Sequence, residues 1–120
     1  MEINRITGEY VRFYLAHGAG STTADLVLYT ELGTTRTLRT GEWFYMTDIC
    51  WSTAAVGFGG YLFDDIASDN TPAANNILFV FTTALKDDMH AFEMPVPIKT
   101  PTFVSDAAVK LWGQGFIKSA

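Results

Sequence analysis

Histidines are the first side chains to weigh for chemistry, because imidazole is the group that most often transfers a proton in catalysis. The sequence has two: His17 before a glycine-rich turn, and His90 shortly after Asp87 and Asp88. Either aspartate could orient the ring of His90 as a general base. No serine lies in the G-x-S-x-G turn that is typical of a hydrolase nucleophile. We therefore interpret both histidines as ordinary surface residues, and predict no catalytic residue and no enzyme activity.

A cluster of oxygen-bearing side chains, Asp64, Asp65, Asp69 and Asn70, could offer ligands to calcium, which is a hard cation. Their spacing does not match the EF-hand loop. Two histidines and one cysteine cannot form a structural zinc site at this spacing. A solvated acidic loop is the favoured interpretation, with no metal and no cofactor.

Glycine-rich and aromatic segments suggest two kinds of ligand site. The segment Gly57–Gly60 could cradle a phosphate, but it lacks the Lys-Ser/Thr of a P-loop and a following helix, which favours a bulged strand. Trp43, Trp51 or Trp112 could stack on a sugar, although a core or interface position is the more frequent role of such side chains.

Composition narrows the classes of partner. The chain has 120 residues, which is one domain's worth, and a net charge of −5 with eight scattered Lys and Arg. Phosphate backbones and anionic membranes need clustered cations, so we expect neither nucleic acid nor membrane as a partner. The lone Cys50 excludes an intrachain disulfide and, between Ile49 and Trp51, is expected to be buried and unreactive. The start of the chain does not resemble a secretion signal, so we expect synthesis in the cytoplasm.

Short β-rich runs separated by turns predict the fold. The runs cover 10–15, 24–29, 38–51, 56–63, 77–81, 92–94 and 109–117. This spacing favours an all-β, antiparallel β-sandwich of the jelly-roll kind with about eight strands. Pro95, Pro97 and Pro101 are expected to prevent regular pairing there, since proline has no N–H to donate. Ser105 is expected in a turn that enters the last strand. We predict one domain over 9–120, preceded by an N-terminal arm, 1–8, that contacts a neighbour.

Several runs are apolar on both faces, whereas a sandwich has one interior. Alternation places Trp43, Tyr45, Ile49 and Trp51 on one face, and Phe79 and Phe81 share a face in a later run. Loops such as 64–76 and 95–104 could cover the surplus faces; the alternative is another chain. The predicted interface residues are Trp43, Tyr45, Trp51, Phe79, Phe81 and Trp112.

The order of strand ends carries a family resemblance over residues 37–117. Its segments are 41–49 (GEWFYMTDI), 60–65 (GYLFDD), 92–98 (FEMPVPI) and 109–116 (VKLWGQGF). Together they resemble the small jelly-roll structural proteins of tailed bacteriophages, including capsid decoration, or cement, proteins. The resemblance implies a homo-oligomer, with a trimer favoured, which sits on the capsid surface of the virion and clamps the major capsid protein.

Two other functions stay open. A carbohydrate- or receptor-binding module of a fibre or tail would carry an exposed Trp or Tyr beside Asp or Asn. A cupin-like enzyme would need converging histidines, for which two are few.

Overall fold

The chain folds into two antiparallel β-sheets packed face to face. The computed structural model describes residues 8–18, 20, 22–54, 59–81 and 87–119, and all regular secondary structure in this part of the chain is strand. A five-stranded sheet has the order β3-β1-β9-β4-β7, and a four-stranded sheet has the order β2-β8-β5-β6. The strands are β1 (Glu9–His17), β2 (Thr23–Asp25), β3 (Val27–Tyr29), β4 (Glu42–Thr53), β5 (Gly60–Asp64), β6 (Ile77–Phe81), β7 (Asp87–Ile98), β8 (Pro101–Ser105) and β9 (Val109–Ser119). The predicted all-β sandwich is confirmed, with nine strands where about eight were expected.

The core lies between the sheets and is built from alternate residues of the strands. Val11 and Phe13 of β1 and Leu111 of β9 point inward from the five-stranded sheet. Leu62 of β5 and Phe103 of β8 belong to the same cluster, and both are fully buried. Each such side chain contributes about 1.5–3 kcal/mol on burial, and the two-residue period of this burial is what selects strands.

Two glycines of β9, the central strand of the larger sheet, make room for aromatic rings. A Cβ atom at Gly113 would lie 2.6 Å from Cζ of Phe13, and one at Gly115 would lie 2.5 Å from Cε1 of Phe44. The two rings meet edge to face, with centroids 5.9 Å apart. Small residues in β9 therefore allow large ones in its neighbours, β1 and β4.

The run 24–29, predicted as one strand, is two strands in different sheets. β2 pairs with β8 of the smaller sheet, whereas β3 pairs with β1 of the larger one. Leu26 lies between them, is 6% exposed, and donates its N–H to the carbonyl of Pro101 at 3.0 Å. The chain thus crosses from one sheet to the other here, a bend that sandwich corners commonly use.

The prediction that prolines prevent pairing over 95–101 is wrong. Pro95 and Pro97 lie within β7, where Pro97 is opposite Tyr45, and Pro101 is the first residue of β8. β7 is one of the two edge strands of its sheet. Proline is tolerated at edges and at strand starts, because the missing N–H would face solvent there.

Some expectations fall outside the described residues. Of the predicted arm 1–8 only Gly8 is described, and residues 56–58 of the predicted strand 56–63 are not. The prediction that Ser105 lies in the turn is wrong, because Ser105 is the last residue of β8 and the bend that leads into β9 follows it at 106–107. In the described ranges no helix combines the length and apolar character that crossing a membrane requires.

Candidate interaction surface

Part-way along β4, the side chains that point into the core change from the even-numbered to the odd-numbered residues. A register shift between Met46 and Asp48 marks a β-bulge against both β7 and β9. An extra residue in one strand reverses the alternation beyond it. Phe44 and Met46 before the bulge, and Ile49 and Trp51 after it, consequently all lie in the core.

The prediction that Trp43, Tyr45, Ile49 and Trp51 share one face is therefore wrong. Trp43 and Tyr45 are half-buried on the outer face of the larger sheet, and the bulge turns Ile49 and Trp51 inward. The apolar residues that β4 leaves on the outer face are only Trp43, Tyr45 and Cys50. The apolar surface that needs a cover is therefore smaller than strict alternation predicted.

A continuous apolar row nevertheless crosses the outer face of all five strands. We call it the Trp112 row, and its members in strand order are Val27, Tyr14, Trp112, Cys50 and Met89, each directly opposite the next. Trp112 is 42% exposed, Tyr14 43% and Met89 54%. Opposed side chains lie about 4.5–5.5 Å apart at Cβ, so the row forms one surface.

A second row lies nearer the other end of the sheet. This Phe116 row consists of Tyr10, Phe116, Tyr45 and Pro97, also opposite one another. Tyr10 and Phe116 meet edge to face at 6.0 Å between centroids. Lys118 lies with Nζ 5.2 Å from the ring centroid of Tyr45, a cation–π contact.

Polar side chains separate the two apolar rows. Arg12 and Asp48 lie on the strands either side of β9, each directly opposite Gln114. The Tyr10 hydroxyl donates to Oε1 of Gln114 at 2.7 Å, and Nε2 of Gln114 donates to Oδ2 of Asp48 at 3.0 Å. Arg12 is exposed and makes no ion pair with any described residue. Arg12, Asp48 and Gln114 line a shallow depression on the sheet together with Trp112.

The outer face of the four-stranded sheet carries a shorter apolar row. Tyr61 is 39% exposed and lies opposite Val104 and Val80, which is 44% exposed. This row spans three strands, so the five-stranded face is the larger candidate surface.

The six predicted interface residues divide into three groups. Trp51 and Phe81 are 4% and 1% exposed within the chain itself, so the prediction that they face a partner is corrected. Phe79 is half-buried between the sheets, with its ring 5.7 Å from that of Trp51. Trp43, Tyr45 and Trp112 lie on the outer face of the larger sheet. The Trp51 indole N–H is buried and has no acceptor among the described residues.

Sequence reasoning missed Tyr14, Arg12, Asp48 and Met89 as part of this surface. Alternation in 10–15 did indicate that Arg12 and Tyr14 share a face opposite Val11. Their neighbours across the sheet depend on strand order, which short-range patterns do not contain.

His17 is buried, so its interpretation as a surface residue is wrong. It is 5% exposed, with Nδ1 3.2 Å from the Ala107 carbonyl oxygen and Nε2 2.6 Å from that of Thr22. Each ring nitrogen faces a carbonyl oxygen, so the nitrogen that carries a proton donates to its carbonyl, and the side chain ties β1 to two loops. This role is structural.

His90 is exposed, as predicted for a surface histidine, and packs against aromatic rings. Its ring centroid lies 4.8 Å from those of both Phe79 and Phe92. Asp88 accepts the backbone N–H of Met89 at 2.8 Å, and no described contact joins it to His90. Within the described residues neither Asp87 nor Asp88 contacts the ring, so the pairing that would orient His90 as a general base is not formed there.

The acidic cluster serves the backbone. Asp64 accepts the N–H of Thr100 at 2.6 Å and that of Lys99 at 3.1 Å. Asp65, 3% exposed, accepts the N–H of Asp69 at 3.1 Å. The prediction that this loop is solvated is wrong for Asp64 and Asp65, which are buried. Among the described residues, no three His, Cys, Asp or Glu side chains lie close enough together to hold a metal ion.

The described part of the glycine-rich segment serves strand packing. A Cβ at Gly60 would lie 2.7 Å from the Val104 carbonyl oxygen, so only glycine allows β5 and β8 to approach this closely. The N–H of Gly59 donates to the Asp106 carboxylate at 3.1 Å. A carboxylate beside this N–H disfavours a phosphate.

Two groups near the outer face have shifted pKa values. Hydrogen bonds from Arg36, and then from the Arg39 backbone, lower the pKa of Glu42 to about 2. Arg36 also forms an ion pair with Glu9 of β1, so its side chain links β1 to β4 at the rim of the sheet. Burial, and secondarily Asp48, raises the pKa of the Cys50 thiol, which keeps it protonated.

No protein-family model, no curated protein and no solved structure matches this chain. The resemblance to phage head proteins therefore rests on the strand ends and turns quoted above.

Proposed function

We propose that this chain is a structural component of a bacteriophage virion, a decoration or cement protein that strengthens the head through β-sandwich contacts. The observation that carries this proposal is the outer face of the five-stranded sheet, where the Trp112 and Phe116 rows flank a thin polar row. Contiguous apolar area of this kind is uncommon on monomers and is typical of interaction sites. The resemblance of the segments within 37–117 supports the same role.

Such a protein works by contact and needs no reaction. The buried side chains of His17, Asp64 and Asp65 are each engaged with backbone groups, which is a structural role. The exposed aromatics supply apolar contact area, and the charged groups between them supply a hydrogen-bonding rim. The proposed partners are other copies of this chain and the major capsid protein.

Quantitative mass spectrometry of purified virions from the source phage tests the role. We expect the chain in a fixed ratio to the major capsid protein, and a Trp112→Ala, Met89→Ala variant should sediment less with intact heads than the parent chain does. Tyr61→Ala on the other sheet is the matched control. Absence of the chain from virions, together with no binding to heads, would reject the proposal.

One observation favours a second function, glycan or receptor binding. Trp112 is 42% exposed, and Asp48 and Gln114 lie on the same face. A sugar ring could stack on the indole while the carboxylate and amide bind its hydroxyl groups. A glycan array with the parent chain and Trp112→Ala separates the two functions, because specific signal lost in the variant would favour the glycan site.

A further inference from the structure

We infer that the outer face of the five-stranded sheet binds a second copy of this chain about a two-fold axis that runs along β9. The inference deepens the proposed function by naming one partner, and it rests on the self-association proposed there. It is carried by the arrangement of charge and apolar groups about the central strand.

The polar row is self-complementary about β9. Arg12 on β1 and Asp48 on β4 lie at equal distance from β9, since both are opposite Gln114. A two-fold axis along β9 exchanges the positions of β1 and β4, as an isologous contact requires. Arg12 of one copy then faces the partner's Asp48, and the reverse pair forms as well.

Both charges are available for this pairing. Arg12 makes no ion pair within the described part of its own chain, and the hydrogen bond from Gln114 uses only Oδ2 of Asp48. A guanidinium binds a carboxylate well because of its planar array of donors. The same operation therefore creates two ion pairs, from groups that lack a partner of opposite charge in the described part of the single chain.

The Trp112 row matches itself under the same operation. Trp112 is on the central strand and meets the partner's Trp112 near the axis. Tyr14 meets the partner's Cys50, and Val27 meets the partner's Met89, so a larger side chain faces a smaller one in each pair.

The face has the size that a stable pair needs. The five strands have 3 to 12 residues. At about 3.3 Å per residue and about 4.8 Å between strands they give roughly 700 Å² of sheet, close to the roughly 800 Å² per partner of a standard interface. Stacked sheets cross at about 30°, which displaces Arg12 and the partner's Asp48 by only about 2–3 Å. The same crossing angle moves Lys110 and Lys118, at the ends of β9, away from the same lysines of the second copy, so that these like charges do not face one another.

Charge reversal tests the inference through two variants, Arg12→Glu and Asp48→Arg. Each variant alone would place like charges opposite one another twice, so we expect its dissociation constant to rise roughly tenfold to a hundredfold. A mixture of the two variants restores both pairs across the interface. The new carboxylate at position 12 of one variant then faces the new guanidinium at position 48 of the other, and the unchanged Asp48 of the first faces the unchanged Arg12 of the second.

Sedimentation velocity should show a dimer in the mixture and monomers in each variant. Glu31→Lys, a charge reversal on the exposed turn after β3, is the control and should leave the parent's association unchanged. Circular dichroism of each variant confirms that the sandwich is folded.

Three results would overturn the inference: a parent chain that stays monomeric at every concentration, association unaffected by either reversal, or a mixture that fails to associate. Virion incorporation is measured separately, so a parent chain that binds heads but never dimerises refutes only the two-fold contact. Dimerisation without any presence in virions refutes only the phage role.

Discussion

Replacing Gly113 by alanine should destabilise the sandwich, although alanine usually favours folding over glycine. A Cβ at this position would lie 2.5 Å from the Asp48 carbonyl oxygen and 2.6 Å from Cζ of Phe13. The carbonyl belongs to the backbone of β4, which is paired on both sides and cannot move alone. The ring is 2% exposed and packed against Phe44. Neither neighbour can yield without disturbing the core.

The magnitude follows from two opposing effects. Overpacking a filled core costs about 1–3 kcal/mol, and the lower chain entropy of the unfolded alanine variant returns about 0.4–1 kcal/mol. We expect a net loss of about 1.3 kcal/mol in the free energy of unfolding. An entropy of unfolding of about 2.1 cal/mol/K per residue converts this to a fall in Tm of about 5 °C.

Thermal unfolding followed by circular dichroism, with denaturant unfolding as a second measure, checks the prediction. Gly18→Ala is the matched control, because a Cβ there would have nothing within 4 Å. It should unfold at or slightly above the temperature of the parent chain. If Gly113→Ala unfolds within about 2 °C of this control, the close approach of β1, β4 and β9 is not as described, and the reasoning fails.

Three further predictions concern polar groups. Asp64→Asn should lower the free energy of unfolding by about 1–3 kcal/mol, measured by urea unfolding at neutral pH, because the buried carboxylate accepts two backbone N–H groups at 99–100; a loss below the error of the fit would contradict this. Glu42 should stabilise the fold at neutral pH, and this contribution should fade as pH falls from 4.5 to about 2, since the Arg36 ion pair lowers the folded pKa below the ordinary value; Glu42→Gln should therefore differ from the parent at pH 7 and converge with it in acid. Cys50 should react with iodoacetamide more slowly than a free thiol at pH 8, because its pKa is raised; a rate equal to that of glutathione would reject this.

The fold class could be predicted because the signal is local. In β1 the residues Val11, Phe13 and Leu15 alternate with more polar ones, and turns separate the β-rich runs. The β-bulge after Met46 could not be predicted, since no glycine or proline marks it and only pairing with both neighbours reveals it. The acceptance of Pro95 and Pro97 in β7 depends on edge position, which is a property of strand order.

The candidate surface was predictable only in part for the same reason. Trp112 is recognisable as an aromatic residue on a strand with two glycines, and its exposure is consistent with the prediction of an interface. Arg12 and Asp48 are ordinary charged residues in the sequence. They lie at equal distances from a central strand only because β9 inserts between β1 and β4. Symmetry about a central strand is a property of the sheet, and no short segment of the sequence indicates it.

Trp112 cannot serve a glycan and a second copy of the chain at the same time, and this competition makes the two functions separable. If the face is a pairing surface, the indole is covered in the dimer, so its fluorescence should shift to shorter wavelength as protein concentration rises. Arg12→Glu should abolish that shift while leaving the core indole of Trp51 unchanged. If the face binds glycan instead, the shift should follow added sugar at constant protein concentration, and a single-chain mass should persist throughout. If the emission wavelength depends on neither protein concentration nor sugar, Trp112 takes part in neither function, and the shorter row around Tyr61 becomes the candidate surface.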